Sequence, residues 1–432
     1  MSKLVSTPPD ASGFIESQRC YGYSFESALA DIIDNSIFAE SQNIHINFYP
    51  KDDSLSIIDD GSGMSENELY NAMIFGSGDP SKPRDPKDLG RFGMGMKSAS
   101  ISQCTRLIVL SRKAKKLSGA IWDIDRIKKT GRWDLEQLNQ KDIQSLVNDH
   151  LITMPPKGTA VIWDNIDSMQ GNAQERPDEK NRKITIAMNH LRLTFHRFME
   201  KKSLPLKIVF NGSQLIPLNP FLEGKSQETP AQQIEIGGTG KYILMQGFTL
   251  PSLNRMSPEE EKELELDRGF AATQGFYIYR NKRLITTGGW FGLERLQATT
   301  NLSRVSVEVP NFLDKEWDTD VKKTGMTPPP TILFAMRKLL AQFHNPSKKI
   351  YKRHGKKAIE KSKLWLRSIN YDAIDDVHIA QYDIDKNAEI YRLLADSITE
   401  DQSEKLTNLI FAITRDIPFA SIFADYNDRN VK

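Results

Sequence analysis

Residues 88–100 read DLGRFGMGMKSAS and set Gly90, Gly93 and Gly95 ahead of Lys97, Ser98 and Ser100. Backbone this bare, leading into small residues that open a helix, suits close approach to a ligand. Two familiar arrangements fail on spacing. A P-loop runs from Gly through four residues to Gly-Lys-Ser/Thr. The gap from Gly90 to Gly95 fits, but Met96 intrudes before Lys97 and Ser98. A dinucleotide fingerprint needs a strand leading directly into its first glycine, and here a Pro- and charge-rich run, GDPSKPRDPKD, comes first. Alone, the stretch is a loop capping a helix. The surrounding chain has to decide.

The bulk composition narrows the classes. A chain of 432 residues has length for about two or three domains, each with its own core. Hydrophobic content of 39% and charged content of 26% are ordinary for a globular protein. A net charge of +2 gives no overall pull toward nucleic acid or membrane, so any such surface is a local patch. Cys20 and Cys104 lack metal-ligand spacing and read as reduced thiols. The first residues are polar and resemble neither a signal nor a transit peptide. No apolar run reaches the ~18 residues that cross a bilayer. The expectation is a cytoplasmic protein with no membrane partner.

Outward from the glycines, YGYSFESALADIIDNSIFAES places Phe25, Ala28, Leu29, Ile32 and Ile33 at helical spacing behind Ser24, a candidate cap. NIHINFYP alternates Ile44, Ile46 and Phe48 as a strand, and SLSIID is its hairpin partner. Residues 65–75 read as a helix, and another begins near Gly95. TRLIVLSR and GTAVIWD are strands, and a helical segment covers about 184–200. Strand signals resume at LKIVFNG, GFYIYRNKRLI and RVSVEVP. From Thr331 onward helical patterns dominate, and the polar stretches 169–181 and 223–233 read as loops or linkers.

Two further features carry chemistry. Asp31 and Asn35 are four apart on the first helix, one above the other beside its apolar stripe. IIDDGSGM ends a strand in Asp59 and continues through Gly61 and Gly63 to Met64. Asp-Gly pairs favour turns. An aspartate at the buried end of a strand also suits the exocyclic amine of adenine, with glycines letting the base approach. Gly158-Thr159, opening a later strand, supplies a hydroxyl beside that aspartate.

In order these are Asp-x-x-x-Asn on a helix, Asp-x-Gly-x-Gly after a hairpin, a lid, Gly-x-x-Gly-x-Gly, and a Gly-Thr strand. The pattern resembles the GHKL ATPases: gyrase B subunits, MutL, the ninety-kilodalton heat-shock chaperones and sensor histidine kinases. ALADIIDNS, FGSGD and LGRFGMGMKSAS are most similar to the Microrchidia (MORC) branch and its bacterial relatives. GFYIYRNKRLI and VEVPNFL resemble that branch's second, transducer domain.

The resemblance implies an α+β chain: a two-layer α/β Bergerat-type ATP-binding domain over 1–168 with a lid at about 76–95, a transducer-like α/β domain over 169–330, and a mostly helical region over 331–432. It implies that ATP and magnesium are bound. Asn35 would hold the metal, Asp59 read adenine with Met64 packed on its face, and Thr159 assist. Gly61 and Gly63 would make room for the base. Gly90, Gly93 and Gly95 would face the phosphates, with Lys97 a point charge on them. The base that aligns water is the residue one turn before the asparagine. MutL and MORC proteins have glutamate there; this chain has Asp31, one methylene shorter, which implies slow hydrolysis. Asp34 is a second carboxylate nearby at a different angle on the helix, expected to be structural or to support the site from behind the residues that touch the nucleotide. A transducer lysine would reach the γ-phosphate, Lys322 or Lys323, with Lys323 favoured.

The resemblance also implies a homodimer that closes on ATP, to which the first twenty residues would contribute an exchanged arm. DNA or an unidentified protein is the expected client, since bacterial relatives are associated with restriction and phage defence. The basic run Lys348–Arg367, with Tyr351 and Trp365 interleaved, is the candidate DNA surface, or else an amphipathic helix with its lysines in water. An alternative is a nucleotide-gated DNA-binding or scaffold module with little hydrolysis. A histidine protein kinase fits less well. Such kinases lack the general base and carry their phosphoacceptor His before the nucleotide module, whereas His190 and His196 follow it.

Overall fold

The computed structural model describes residues 7, 10–20, 22–75, 95–169, 177–235, 240, 242–266, 268–310, 318–319, 326–361, 364–372 and 377–416. The expected lid with Gly90 and Gly93, and the pair Lys322 and Lys323, lie outside the described residues.

The chain begins with α1 (Ala11–Arg19) and α2 (Phe25–Phe38). Ser24 starts α2, its side chain accepting from the Ser27 amide at 3.4 Å and so occupying one of the donors a helix start leaves unpaired. Next come the hairpin β1 (Asn43–Tyr49) and β2 (Ser54–Asp59), then α3 (Glu66–Met73) behind a reciprocal Ser65/Glu68 capping box. After α4 (Gly95–Ile101) follow β3 (Arg106–Lys113), β4 (Lys116–Asp123), α5 (Ile124–Thr130), β5 (Glu136–Gln137), α6 (Gln140–Asp149) and β6 (Gly158–Asp164). Helices α7 (Pro177–Thr194) and α8 (His196–Met199) lead to β7 (Lys207–Phe210) and β8 (Ser213–Gln214). These strands form one sheet in the order β5-β4-β3-β6-β2-β1-β7-β8.

Side chains alternate across that sheet. Leu55, Ile57, Leu107, Val109, Val161 and Trp163 bury against Leu29, Ile32 and Ile33 of α2 and Ala187 and Leu191 of α7. Each large apolar side chain buried there contributes about 1.5–3 kcal/mol. Ile58, Ile108, Leu110 and Ile162 face the opposite way and meet Ile143 and Leu146 of α6. The two-layer sandwich therefore gains a partial third layer, which the sequence reading did not foresee.

The first unit also runs past the boundary expected at 168. Ile184, Ala187 and Leu191 of α7, with Ile208 and Phe210 of β7, belong to the same core as α2. β7 pairs parallel to β1, Ile44 opposite Ile208. The polar stretch before α7 resembles a linker, yet the apolar stripe beyond it closes the first sheet. Helix α1 likewise docks on its own chain, with Ile15 fully buried and Arg19 donating to the carbonyls of Ile101 and Cys104 at 2.8 and 2.9 Å.

The second sheet has the path β10-β11-β14-β12-β13, with β9 beside β11. Its strands are β9 (Gln227–Glu228), β10 (Gln232–Glu235), β11 (Tyr242–Thr249), β12 (Gly275–Arg280), β13 (Arg283–Thr287) and β14 (Ser303–Val309). Helix α9 (Pro258–Leu264) lies between β11 and β12, and α10 (Pro330–Lys361) follows β14. Ile332, Met336 and Phe343 of α10 pack on Met245, Phe276 and Val307. Leu193 of α7 packs with Phe221, Tyr277 and Tyr279 toward the first unit.

The C-terminal region is helical at both ends, with α10 first and helices Glu389–Ala395 and Glu400–Asp416 last. Between them stands an unforeseen antiparallel hairpin, Trp365–Asp372 with Val377–Ile384. The basic run starts inside α10. There Lys348 pairs with Glu294 at 3.7 Å, Tyr351 is buried with its hydroxyl on Asn301, and Ile350 packs beneath. At that end the amphipathic-helix reading holds.

Candidate functional site

Asp59 ends β2 directly opposite Thr159 of β6, a register that brings together residues a hundred apart in sequence. Its Oδ1 accepts from the Gly61 amide at 2.9 Å and the Thr159 amide at 3.3 Å, and its Oδ2 accepts from the Ser36 hydroxyl at 3.1 Å. Burial pushes the carboxyl above its ordinary range against those three hydrogen bonds. The neighbouring Asp60 differs. Burial opposes its ionisation too, but Asn43, Ser41 and Gln42 all donate to it and bring it down to about 2. Asp60 therefore fastens the start of β1, while Asp59 faces inward as an acceptor.

Glycine is required around Asp59 for backbone contact. At Gly158, φ is +137° and an added Cβ would lie 1.9 Å from the Asp59 carbonyl oxygen. At Gly63, φ is +64° and a Cβ would stand 2.1 Å from the Arg112 carbonyl oxygen. At Gly61 an added Cβ would stand 2.7 Å from the Ala39 Cβ and 2.9 Å from the Asp59 carboxylate. Gly158→Ala is expected to cost roughly 3 kcal/mol or more, since neither the angle nor the space admits a side chain. Thermal unfolding followed by circular dichroism checks this, and an unchanged midpoint contradicts it.

The Thr159 hydroxyl pairs with that of Ser111 at 2.9 Å, and the Ser111 hydroxyl accepts from the Met64 amide at 2.8 Å. Met64 is half-buried against the first core. The threonine thus acts on Asp59 through its amide, while its hydroxyl tethers the Gly-x-Gly-Met segment through Ser111. Ser36 and Ser111 were missed from sequence. Ser36 had a signal, one residue after Asn35 on the same helix, but Ser111 was visible only through its register with Thr159.

Asp31 and Asn35 occupy one face of α2 as their spacing predicts. The Asn35 amide nitrogen donates to the Asp31 carbonyl at 2.9 Å, and Asn35 is exposed. The Asp31 carboxylate is buried; its Oδ2 accepts from the Tyr23 hydroxyl at 3.1 Å and its Oδ1 from Arg283 at 3.4 Å. Gly95 opens α4 beside it, with the position of a Cβ 3.6 Å from Asp31 Oδ2, an ordinary contact. Ser36, the next residue along and buried, joins the same helix to Asp59. One helix therefore links the acceptor at the sheet to the carboxylate and carboxamide further along.

Lys97 stands apart from the group. It is buried and donates to the carbonyls of Ala72 and Ile74 at 2.9 and 2.6 Å. Helix α3 ends there, and a cation is favourable on the carbonyls a helix leaves unpaired. Burial brings Lys97 down to about 8. Here its ammonium staples α3 to α4.

Among the described residues no group of three or more His, Cys, Asp or Glu side chains is placed to hold a metal ion. The oxygen-bearing Asn35, exposed beside Asp31, fits a hard cation that takes most of its ligands from phosphate and water. No helix among the described residues is long and apolar enough to cross a membrane.

Residues 23–159 match the family described as histidine kinase-, DNA gyrase B-, and HSP90-like ATPase. That segment holds every described site residue named above on the first unit. Similar proteins include ATPase morc-1 of Caenorhabditis elegans, 30% identical over 89 residues, which are 20% of this chain and 10% of that protein. ATPase MORC2B of Mus musculus is 31% identical over 96 residues, 21% of this chain and 9% of that protein. The alignments therefore span about a tenth of each relative.

Proposed function

We propose, from the premise that residues 23–159 form a GHKL-type ATP-binding domain, that the protein binds ATP with magnesium, hydrolyses it slowly, and closes as a dimer while ATP is bound. The observation that carries this reading is the single helix α2. It presents Asp31 and Asn35 and is hydrogen-bonded through Ser36 to the buried Asp59 carboxylate.

In the proposed mechanism Asp59 accepts a hydrogen bond from the adenine amine, and Gly61 and Gly63, whose backbone packs against Ala39 and Arg112, keep that acceptor aimed at the base. Met64, tethered through Ser111, packs on its face. Asn35 offers an oxygen to magnesium, which when bound neutralises phosphate charge. Asp31 aligns water on the γ-phosphate and takes its proton. Its shorter side chain stands further from the reaction than glutamate, and about 1 Å of misplacement lowers a rate on the order of 100-fold. Gly90, Gly93 and Gly95 are assigned to the phosphates and Lys323, with Lys322 as alternative, to the γ-phosphate. Lys97 serves this end indirectly, by holding α4.

The matching segment covers the nucleotide part only. A nucleotide-closed dimer would grip DNA or a partner protein, in a restriction or phage-defence setting. The basic run Lys348–Arg367 is the segment assigned to DNA, and most of its side chains beyond Tyr351 lie outside the described residues. Light scattering tests the closing step: a non-hydrolysable ATP analogue with magnesium should double the mass, and a monomer at every concentration contradicts it.

A further inference from the structure

The hairpin β12–β13, read from sequence only as strand signal, reaches into the nucleotide helix. It turns through Asn281 and Lys282, both left-handed at φ 48° and 69°, the pattern of a tight two-residue turn that sets strand register. The next residue, Arg283, extends its guanidinium out of the second sheet. Nε donates to Asp34 Oδ1 at 2.8 Å, Nη2 to Asp31 Oδ1 at 3.4 Å, and Nη1 to the Leu284 carbonyl at 3.4 Å. The three side chains are 4%, 1% and 2% exposed for Arg283, Asp31 and Asp34.

Three features make this more than a domain clasp. Asp31 and Asp34 are three residues apart on α2 and both meet the same cation, so removing it leaves two carboxylates together out of water. The forked guanidinium serves both at once, which a lysine ammonium cannot do with the same geometry. The contact with Asp34 is short and that with Asp31 long, so the arginine is held chiefly by Asp34 and reaches Asp31 from there. Around them stand the Tyr23 hydroxyl on Asp31 and the Phe195 ring, 5.9 Å from the guanidinium. His190 of α7 lies close by, pushed down to about 4 by burial first and then by the charge of Arg283.

We propose that Arg283 is a positioning residue: seated on the second sheet and anchored by Asp34, it sets where the Asp31 carboxylate stands, so that the second domain governs hydrolysis through the base. This rests on the reading of Asp31 as that base. Displacement of β13 relative to α2 carries the charge away from Asp31 and lets the carboxylate swing from the water it aligns.

The test compares steady-state ATP hydrolysis and binding of a fluorescent ATP analogue in Arg283→Gln, Arg283→Lys, Asp31→Asn and the Asp31→Asn/Arg283→Gln double variant, with melting midpoints alongside. The expected result is a fall in kcat of about 30-fold or more for Arg283→Gln, in line with the rate lost to small misplacement, with KM and analogue affinity little changed. Arg283→Lys should recover part of the rate, and the double variant should be no slower than Asp31→Asn. Should Arg283→Gln not fold, Arg283→Lys decides alone, by a fall in kcat at constant KM. Full rate in the arginine variants while Asp31→Asn is inactive overturns the proposal and leaves the base reading standing. Full rate in Asp31→Asn overturns both. A loss that appears in KM, or that follows the melting midpoint, assigns Arg283 to packing and overturns the proposal.

Discussion

Asp59→Asn should reduce the affinity for ATP and ADP by about 100-fold, near 3 kcal/mol, while leaving the protein folded. The carboxylate is assigned to accept from the adenine amine, and it already accepts from Gly61, Thr159 and Ser36. An asparagine presents a donor where these groups also donate. With the amide oxygen kept on the Gly61 and Thr159 amides, the new NH2 takes the place of Oδ2, where the Ser36 hydroxyl can turn to accept but the adenine amine meets another donor. The fold should tolerate the change because burial already disfavours the charged form of Asp59. Titration of the variant with Mg–ADP, beside its melting curve, checks this. Parent-like affinity in a folded variant contradicts the adenine assignment.

Asp31→Asn should lower the hydrolysis rate by about 100-fold or more while nucleotide is still bound, since amides accept no proton at neutral pH. Asn35→Ala serves as the companion. It should act through magnesium, raising the metal concentration needed for half-maximal binding. The carboxylate sits out of water between the Tyr23 hydroxyl and Arg283, held in place before nucleotide arrives. Phosphate release from both variants at saturating Mg–ATP separates the roles. If both keep the parent's rate, the base does not lie at these positions of α2.

Local chemistry explains what could be read in the sequence. Asp31 and Asn35 were visible because helical spacing alone puts them on one face. Asp59 was visible because it ends a strand before glycines, and Gly158-Thr159 because it opens one. The β12–β13 segment was visible as strand, yet not its reach, because the partners of Arg283 lie some 250 residues back, at 252 and 249 positions' separation. Ser111 was hidden for the same reason, being defined by pairing with β6 rather than by its neighbours. The extension of the first sheet to β7 and β8 was masked by the polar run before α7. Lys97 looked like a phosphate ligand from its place after three glycines, and only the fold shows the end of α3 beneath its ammonium. The C-terminal hairpin was obscured by charged flanks that suited helices equally well.

The most direct test is calorimetric titration of the intact protein with an ATP analogue and magnesium, repeated with Asp59→Asn. One nucleotide should bind per chain in the parent, with heat that largely disappears in the variant. No heat in a folded parent, or identical binding in parent and variant, would contradict the claim that this cleft holds adenine nucleotide.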